Sequence, residues 1–353
     1  MNICLIIDSL VAAGAERVVV TLAESFYEKG YQVDIILFKD CIEYEINPNI
    51  KIHILNPKTP ESFSQLIKEL EKKNQQSFDY IFSHLHNKIK VLKQSKVPNI
   101  YYTFHIPISK RFEKGNFFIK FLKKKKMQYR YKNENLITVS EGIKKDLIQH
   151  NFKAKSITTI YNPFNFKSIL ENAKIQDEDI PKEEYIINVA RFHFQKRQDI
   201  LLKAFAKSGL DCKLLLVGKG SKEEMDKVKT LIKELNLEKQ IILVGFKSNP
   251  FPLIKHAKLF VLSSDFEGFG MVLVESLILG TPTVSTNCPS GPSEVMQGEL
   301  SNYLVPVGDI DALAKKMYEA FYNPPTIELK FLEQFDAHNI TKKYLSLKEN
   351  TNE

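Results

Sequence analysis

Short apolar runs alternate along this chain with stretches whose apolar residues recur every three to four positions. Residues 2–8 read Asn-Ile-Cys-Leu-Ile-Ile-Asp, which predicts a buried strand. Residues 15–29 follow with Val18, Val19, Leu22, Ala23 and Phe26 at helical spacing and stop at Gly30. Further strands are predicted at 32–38, 80–83, 99–104 and 135–139, with a helix at 141–150. From residue 185 the pattern starts again: strands at 185–190, 213–217, 241–244, 258–262 and 283–285 alternate with helices at 199–208, 222–235 and 270–279. Strands separated by helical stretches imply parallel sheets covered by helices, here in two α/β domains. A polar, weakly periodic segment containing Pro181 lies between them, so the expected division is 1–166, a linker at 167–182, and 183–330. A periodic tail, 331–353, is expected to form a helix crossing back to the first domain.

Composition narrows the class. With 353 residues, 43% hydrophobic and 26% charged, the chain has the make-up of a two-domain globular protein. No apolar run approaches the roughly 20 residues of a spanning helix. The amino terminus lacks a basic lead and meets Asp8 after five apolar residues, which argues against a secretory signal and for a cytoplasmic protein. Cys4, Cys41, Cys212 and Cys288 are scattered, so reduced thiols are expected, with neither disulfides nor a zinc site.

The net charge of +8 is unevenly spread: residues 1–170 hold 27 Lys and Arg against 16 Asp and Glu, the remainder 23 against 26. Within the first half, residues 88–132 hold 14 basic residues and one acid, Glu113.

The strongest chemical signal is Asp265-Phe266-Glu267-Gly268-Phe269-Gly270-Met271-Val272-Leu273-Val274-Glu275, two glutamates with seven residues between them around the start of an apolar helix. The glycines let backbone approach a ligand, and amides at a helix start favour diphosphate oxygens. Glu275 can accept from ribose hydroxyls, and Glu267 can reach a donor sugar. Alone, such a pair is better read as an acidic first turn stabilised by the helix dipole, with Glu275 simply solvated. It is accompanied by Arg191 and Lys196 on the loop after the first strand of the second domain, where open α/β sheets bind ligands. Two cations there suit a leaving diphosphate. Gly218, in Leu-Val-Gly-Lys-Gly, and Phe246, after Gly245, end successive strands, the latter where a base can lie.

Taken together the set resembles the family 4 glycosyltransferases of the GT-B fold. The resemblance runs through Ala13-Gly14-Ala15-Glu16-Arg17, Val139-Ser140-Glu141-Gly142, Tyr161-Asn162-Pro163, Arg191/Lys196, the Glu267/Glu275 pair and Gly280-Thr281-Pro282-Thr283-Val284-Ser285. It implies two Rossmann-like domains facing a cleft. It further implies donor diphosphate on Arg191 and Lys196, ribose on Glu275, and sugar and phosphates on Glu267 and the amides of Phe269, Gly270, Met271 and Val272. Gly14 joins the donor set. Transfer would retain anomeric configuration with no cofactor and no metal, the leaving phosphate helping to deprotonate the acceptor. Ala13 departs from the family, which often has glycine there. Asn287-Cys288-Pro289-Ser290-Gly291-Pro292-Ser293-Glu294 resembles bacterial members that build lipopolysaccharide, O-antigen, capsule or lipid-linked oligosaccharide. The expected donor is a UDP-sugar carrying a hexose or N-acetylhexosamine, and the expected acceptor a saccharide or lipid-linked saccharide.

His105, in Tyr-Thr-Phe-His-Ile-Pro, ends a strand and resembles the family's histidine near the donor sugar, with His84 and His86 as rivals; a strand-end histidine otherwise serves structure. Phe117-Phe118-Ile119-Lys120-Phe121-Leu122-Lys123-Lys124-Lys125-Lys126 interleaves apolar residues with lysines. On a helix these lysines suit an anionic membrane surface, expected on the inner face of the cytoplasmic membrane, or an acceptor; the alternative is a solvated lysine face. No nucleic-acid-binding motif accompanies the patch. A sugar-nucleotide epimerase would bind the same donor but need no acceptor, and a non-catalytic binding protein would release no nucleotide. Dehydrogenase and NTPase readings lack G-x-G-x-x-G after a strand and G-x-x-x-x-G-K-[ST]. No D-x-D carboxylate cluster suggests a diphosphate-bound metal.

Overall fold

The computed structural model describes residues 1–11, 14–85, 88–113 and 115–347. The chain divides into two units, Met1–Phe164 with Phe335–Glu353, and Asn165–Gln334. In the first, β1 (Asn2–Ile7), β2 (Gln32–Leu37), β3 (Lys51–Ile54), β4 (Tyr80–Ser83), β5 (Ile100–Phe104), β6 (Asn135–Thr138) and β7 (Ser156–Thr159) form one sheet in the order β3-β2-β1-β4-β5-β6-β7. Every pairing is parallel, with β1 in register from Asn2 opposite Gln32 to Ile7 opposite Leu37. All six residues of β1 are buried, as expected of a central strand with helices on both faces.

The second unit carries β8 (Tyr185–Val189), β9 (Lys213–Val217), β10 (Ile241–Gly245), β11 (Leu259–Leu262), β12 (Thr283–Thr286) and β13 (Leu304–Val305) in the order β10-β9-β8-β11-β12-β13. It too is parallel throughout. Both sheets are doubly wound, and each reverses its strand order once, at β1/β4 and at β8/β11. Loops diverge there at the carboxyl ends of the strands and leave room for a ligand.

Two strands of the first sheet, β3 and β7, lie outside the predicted set. The stretch read as a linker, 167–182, opens on the helix Phe166–Asn172, capped by the Asn165 side chain on the Ser168 amide at 3.0 Å. Asp177 and Asp179 then pair with the Lys247 ammonium at 2.9 and 2.6 Å, so this stretch is fastened to the second unit. The helix Ala337–Leu345 belongs to the first unit. Tyr344 packs edge-on against Phe82 with centroids 4.8 Å apart, and the hydroxyls of Ser25 and Thr341 lie 2.7 Å apart.

The basic segment forms the helix Phe117–Arg130, started by the Asn116 side chain accepting from the Ile119 amide at 3.0 Å. None of its residues is buried. Phe117 is 85% exposed, Phe118 66% and Tyr129 78%, so its apolar side chains face away from the core. Among the described residues no helix is long and apolar enough to cross a membrane.

Candidate donor and acceptor sites

The loop leaving β8 and the loop leaving β11 meet at the switch point of the second sheet. The Lys196 ammonium lies 2.6 Å from Glu267 Oε1, and the Ser264 hydroxyl donates to the same oxygen at 2.6 Å. Both partners are largely removed from water, their side chains 17% and 8% exposed. The backbone is held equally tightly. Ser263 Oγ donates to the Lys196 carbonyl at 2.8 Å, the Gln195 side chain to the Phe266 carbonyl at 2.6 Å, and Ser290 Oγ to the Glu267 carbonyl at 2.6 Å. Arg197, in the left-handed region at φ 48°, forks onto Asp199 at 2.9 and 3.0 Å and reaches Asp265 at 2.8 Å, which raises its pKa.

Glycines make these close approaches possible at two places. Gly218 sits at φ +151°, and a Cβ there would fall 2.0 Å from the Ala190 carbonyl oxygen. Gly291, at φ +94°, presses against the glutamate loop so closely that a Cβ would lie 2.1 Å from the Phe269 carbonyl oxygen.

Gly270 caps the helix Met271–Ile278 in the left-handed conformation, placing the amides of its first turn beside the Glu267 loop. Glu275 lies in that helix, 1% exposed. The Arg191 guanidinium is exposed and makes no ion pair or side-chain hydrogen bond among the described residues, while its carbonyl accepts from Gln198 at 3.0 Å. Phe246, 45% exposed after β10, carries the Lys219 ammonium 4.6 Å above its ring.

The second unit therefore brings together Arg191, Lys196, Gly218, Phe246, Glu267, Phe269, Gly270, Met271, Val272 and Glu275 on loops at the carboxyl ends of β8 to β11 and the helix after β11. Gly14 and His105 lie in the other unit: Gly14 is the first residue of the helix Gly14–Glu28, and His105 follows β5. Ala13 and His86 lie outside the described residues. Sequence reasoning missed Ser264, Ser290 and Gly291 as supports of Glu267, and Lys219 over Phe246. Ser290 and Gly291 stood in the quoted Pro-Ser-Gly-Pro run, but nothing linear ties a serine to a glutamate 23 residues earlier.

His105 and His84 are coupled: His84 Nδ1 and His105 Nε2 lie 2.8 Å apart, with the rings stacked. Burial holds His105 down to about 4, and burial together with the neighbouring imidazole holds His84 well below its usual value, so both are neutral near pH 7. The two imidazoles form one hydrogen-bonded pair. Cys288, buried beside Glu267, is pushed up to about 12 by desolvation and stays a thiol.

Comparison with known proteins fits this geometry. Residues 12–167 match the Glycosyltransferase Family 4 model, and residues 171–336 match the model for Glycosyl transferases group 1. The N-acetylgalactosamine-N,N'-diacetylbacillosaminyl-diphospho-undecaprenol 4-alpha-N-acetylgalactosaminyltransferase of Campylobacter jejuni is 30% identical over 365 aligned positions, covering 96% of this chain and 98% of that protein. The chain is a family 4 glycosyltransferase. A second relative of this glycosyltransferase, the lipopolysaccharide 1,6-galactosyltransferase of Salmonella typhimurium, is 30% identical over 50% of this chain and 49% of its own. Among solved structures, Anabaena HepE in complex with UDP superposes with a TM-score of 0.78 at 20% identity, covering 99% of this chain and all of that one. That likeness shows the glycosyltransferase to have the GT-B fold.

Proposed function

We propose that this glycosyltransferase moves a hexose or N-acetylhexosamine from a UDP-sugar to a saccharide carried on a lipid, with retention of anomeric configuration. The observation that carries the reading is the Lys196–Glu267 pair under the first turn of the helix Met271–Ile278. Bond breaking at the donor throws charge onto the leaving diphosphate. Lys196 and the first-turn amides of the helix are fixed to receive it, with the exposed guanidinium of Arg191 on the same loop as Lys196, and positive charge placed before the reaction needs no reorganisation during it. Glu267, held by Ser264, is left to orient sugar hydroxyls, and Glu275 accepts from the ribose. The ring of Phe246 offers a face for the base.

Two relatives act on saccharides of bacterial surface lipids by name, the Campylobacter one on a diphospho-undecaprenol-linked substrate. The helix Phe117–Arg130 suits an acceptor of that kind. Phe117, Phe118, Phe121 and Leu122 stand exposed beside Lys120, Lys123, Lys124, Lys125 and Lys126, an arrangement that enters an anionic membrane interface with each cation contributing about 1 kcal/mol. The working location is the cytoplasmic face of that membrane.

The decisive experiment is titration of the chain with UDP, GDP and ADP, with and without EDTA, followed by NMR of the product formed from a UDP-sugar and a lipid-linked saccharide. UDP binding unaffected by EDTA and an α-linked product from an α-linked donor are expected. A chain that binds none of the nucleotides, or inverts the linkage, would sink the proposal.

A further inference from the structure

At the switch point of the first sheet the loops leaving β1 and β4 enclose a pocket of about 350 Å³. Asp8 follows β1, Glu16 stands in the first turn of the helix Gly14–Glu28, Lys39 follows β2, and His84 and Lys88 follow β4. Arg111, from the short helix Ser109–Phe112, completes the lining. Asp8 is met by Lys39. Among the described residues neither the Lys88 ammonium nor the Arg111 guanidinium makes an ion pair or hydrogen bond, and Arg111 Nε is fully enclosed. Burial lowers the pKa of Arg111, the mark of a cation that has lost water and gained no counter-charge. His84 is 5% exposed and commits Nδ1 to His105, while its Nε2 has no partner.

A fork and a separate ammonium, both uncompensated, ask for more negative charge than one carboxylate supplies; a phosphate monoester carries close to two charges and three oxygens. The same pocket holds the carboxylates of Asp8 and Glu16, which accept from hydroxyls and repel an oxyanion. An occupant that satisfies both has an anionic end and a polyhydroxylated end. The volume falls within the range of small-ligand sites.

We propose that this pocket binds a glycosyl phosphate, its phosphoryl oxygens on Arg111 and Lys88 and its sugar hydroxyls on Asp8 and Glu16. Naming that ligand as the acceptor end of the reaction rests on the transfer reading above; the binding itself does not. Calorimetry of the full chain tests it with N-acetylglucosamine 1-phosphate, N-acetylglucosamine and inorganic phosphate, beside a separate titration with UDP. The sugar phosphate should bind, the free sugar should give no measurable heat, and inorganic phosphate should bind more weakly. Arg111→Gln and Lys88→Gln should each weaken the sugar phosphate about tenfold and leave UDP unchanged. Lys88 is only partly buried, so its variant reports even if the Arg111 one folds poorly. The proposal is overturned if wild type does not bind the sugar phosphate, if both variants bind it as tightly as wild type, or if phosphate alone binds as well. Failure of UDP to bind would instead strike the donor assignment in the other unit.

Discussion

The two units share an architecture, but the cation drawn furthest from water at each switch point, Lys196 in one and Arg111 in the other, is treated in opposite ways. At the switch point of the second sheet, Lys196 is met by Glu267 and Arg197 by Asp199 and Asp265. At the corresponding place in the first sheet, Arg111 and Lys88 make no ion pair among the described residues. A site whose cation already has a carboxylate is rigid before the ligand arrives, and the ligand must compete for the cation. A site with an unmet cation is less stable empty and gains more on filling. On the reading proposed above, preorganisation suits a place where a bond breaks, and an open charge a place that only has to hold.

The difference can be broken most severely at Lys196. Lys196→Ala leaves Glu267 buried without its cation, so the melting transition of the chain should lose about 4 kcal/mol and transfer should fall about a hundredfold or more. Denaturant titration and initial rates check both, and an unchanged midpoint would mean that the pair is ornamental.

Acid comes next. The imidazoles of His84 and His105 are depressed below their unfolded values. Unfolded chains therefore bind protons that the folded one refuses, and the stability this pair contributes is complete above about pH 6.5 and lost as pH falls toward about 4. Melting temperature should fall more steeply over that window in wild type than in His105→Gln; parallel curves would contradict the assignment.

Gly291→Ala should cost about 2 kcal/mol, because a Cβ at positive φ collides with the Phe269 carbonyl, and UDP affinity should fall with it. The smallest effect has the opposite sign. Arg111→Met removes an uncompensated charge, so the midpoint should rise slightly, by about 1 kcal/mol or less, while sugar phosphate binding weakens about tenfold or more. A fall in stability would show that Arg111 is compensated after all.

Much of this was legible beforehand because parallel strands are buried on both faces and announce themselves as apolar runs; β1, β9 and β11 read directly. The strands that escaped are β3, Lys-Ile-His-Ile with no residue fully buried, β7, Ser-Ile-Thr-Thr, and the two-residue β13, Leu-Val, each at an edge of its sheet where a long apolar run is not required. That Glu267, Lys196, Glu275 and Gly270 gather around one end of one helix was legible because their spacing in sequence and the family resemblance tie them to that helix. The supports were not. Ser264 and Ser290 are ordinary serines until folding puts them on Glu267, and Gly291 differs from other glycines only by the Phe269 carbonyl above it. Arg111 was counted within a basic stretch, and only its burial separates it from the exposed lysines of the helix that follows.

Tyr344, packed on Phe82, has a consequence for how the molecule is made. The first unit is discontinuous in sequence, with the whole of Asn165–Gln334 inserted before its final helix. On the ribosome the sheet β1 to β7 emerges early but waits, with Phe26 and Phe82 uncovered on one face, until the second unit has been synthesised. Order of synthesis and order of completion are thus inverted: the unit that begins first closes last. Expression of residues 1–164 alone yields a sheet lacking its own cover, whereas 165–334 is a contiguous piece.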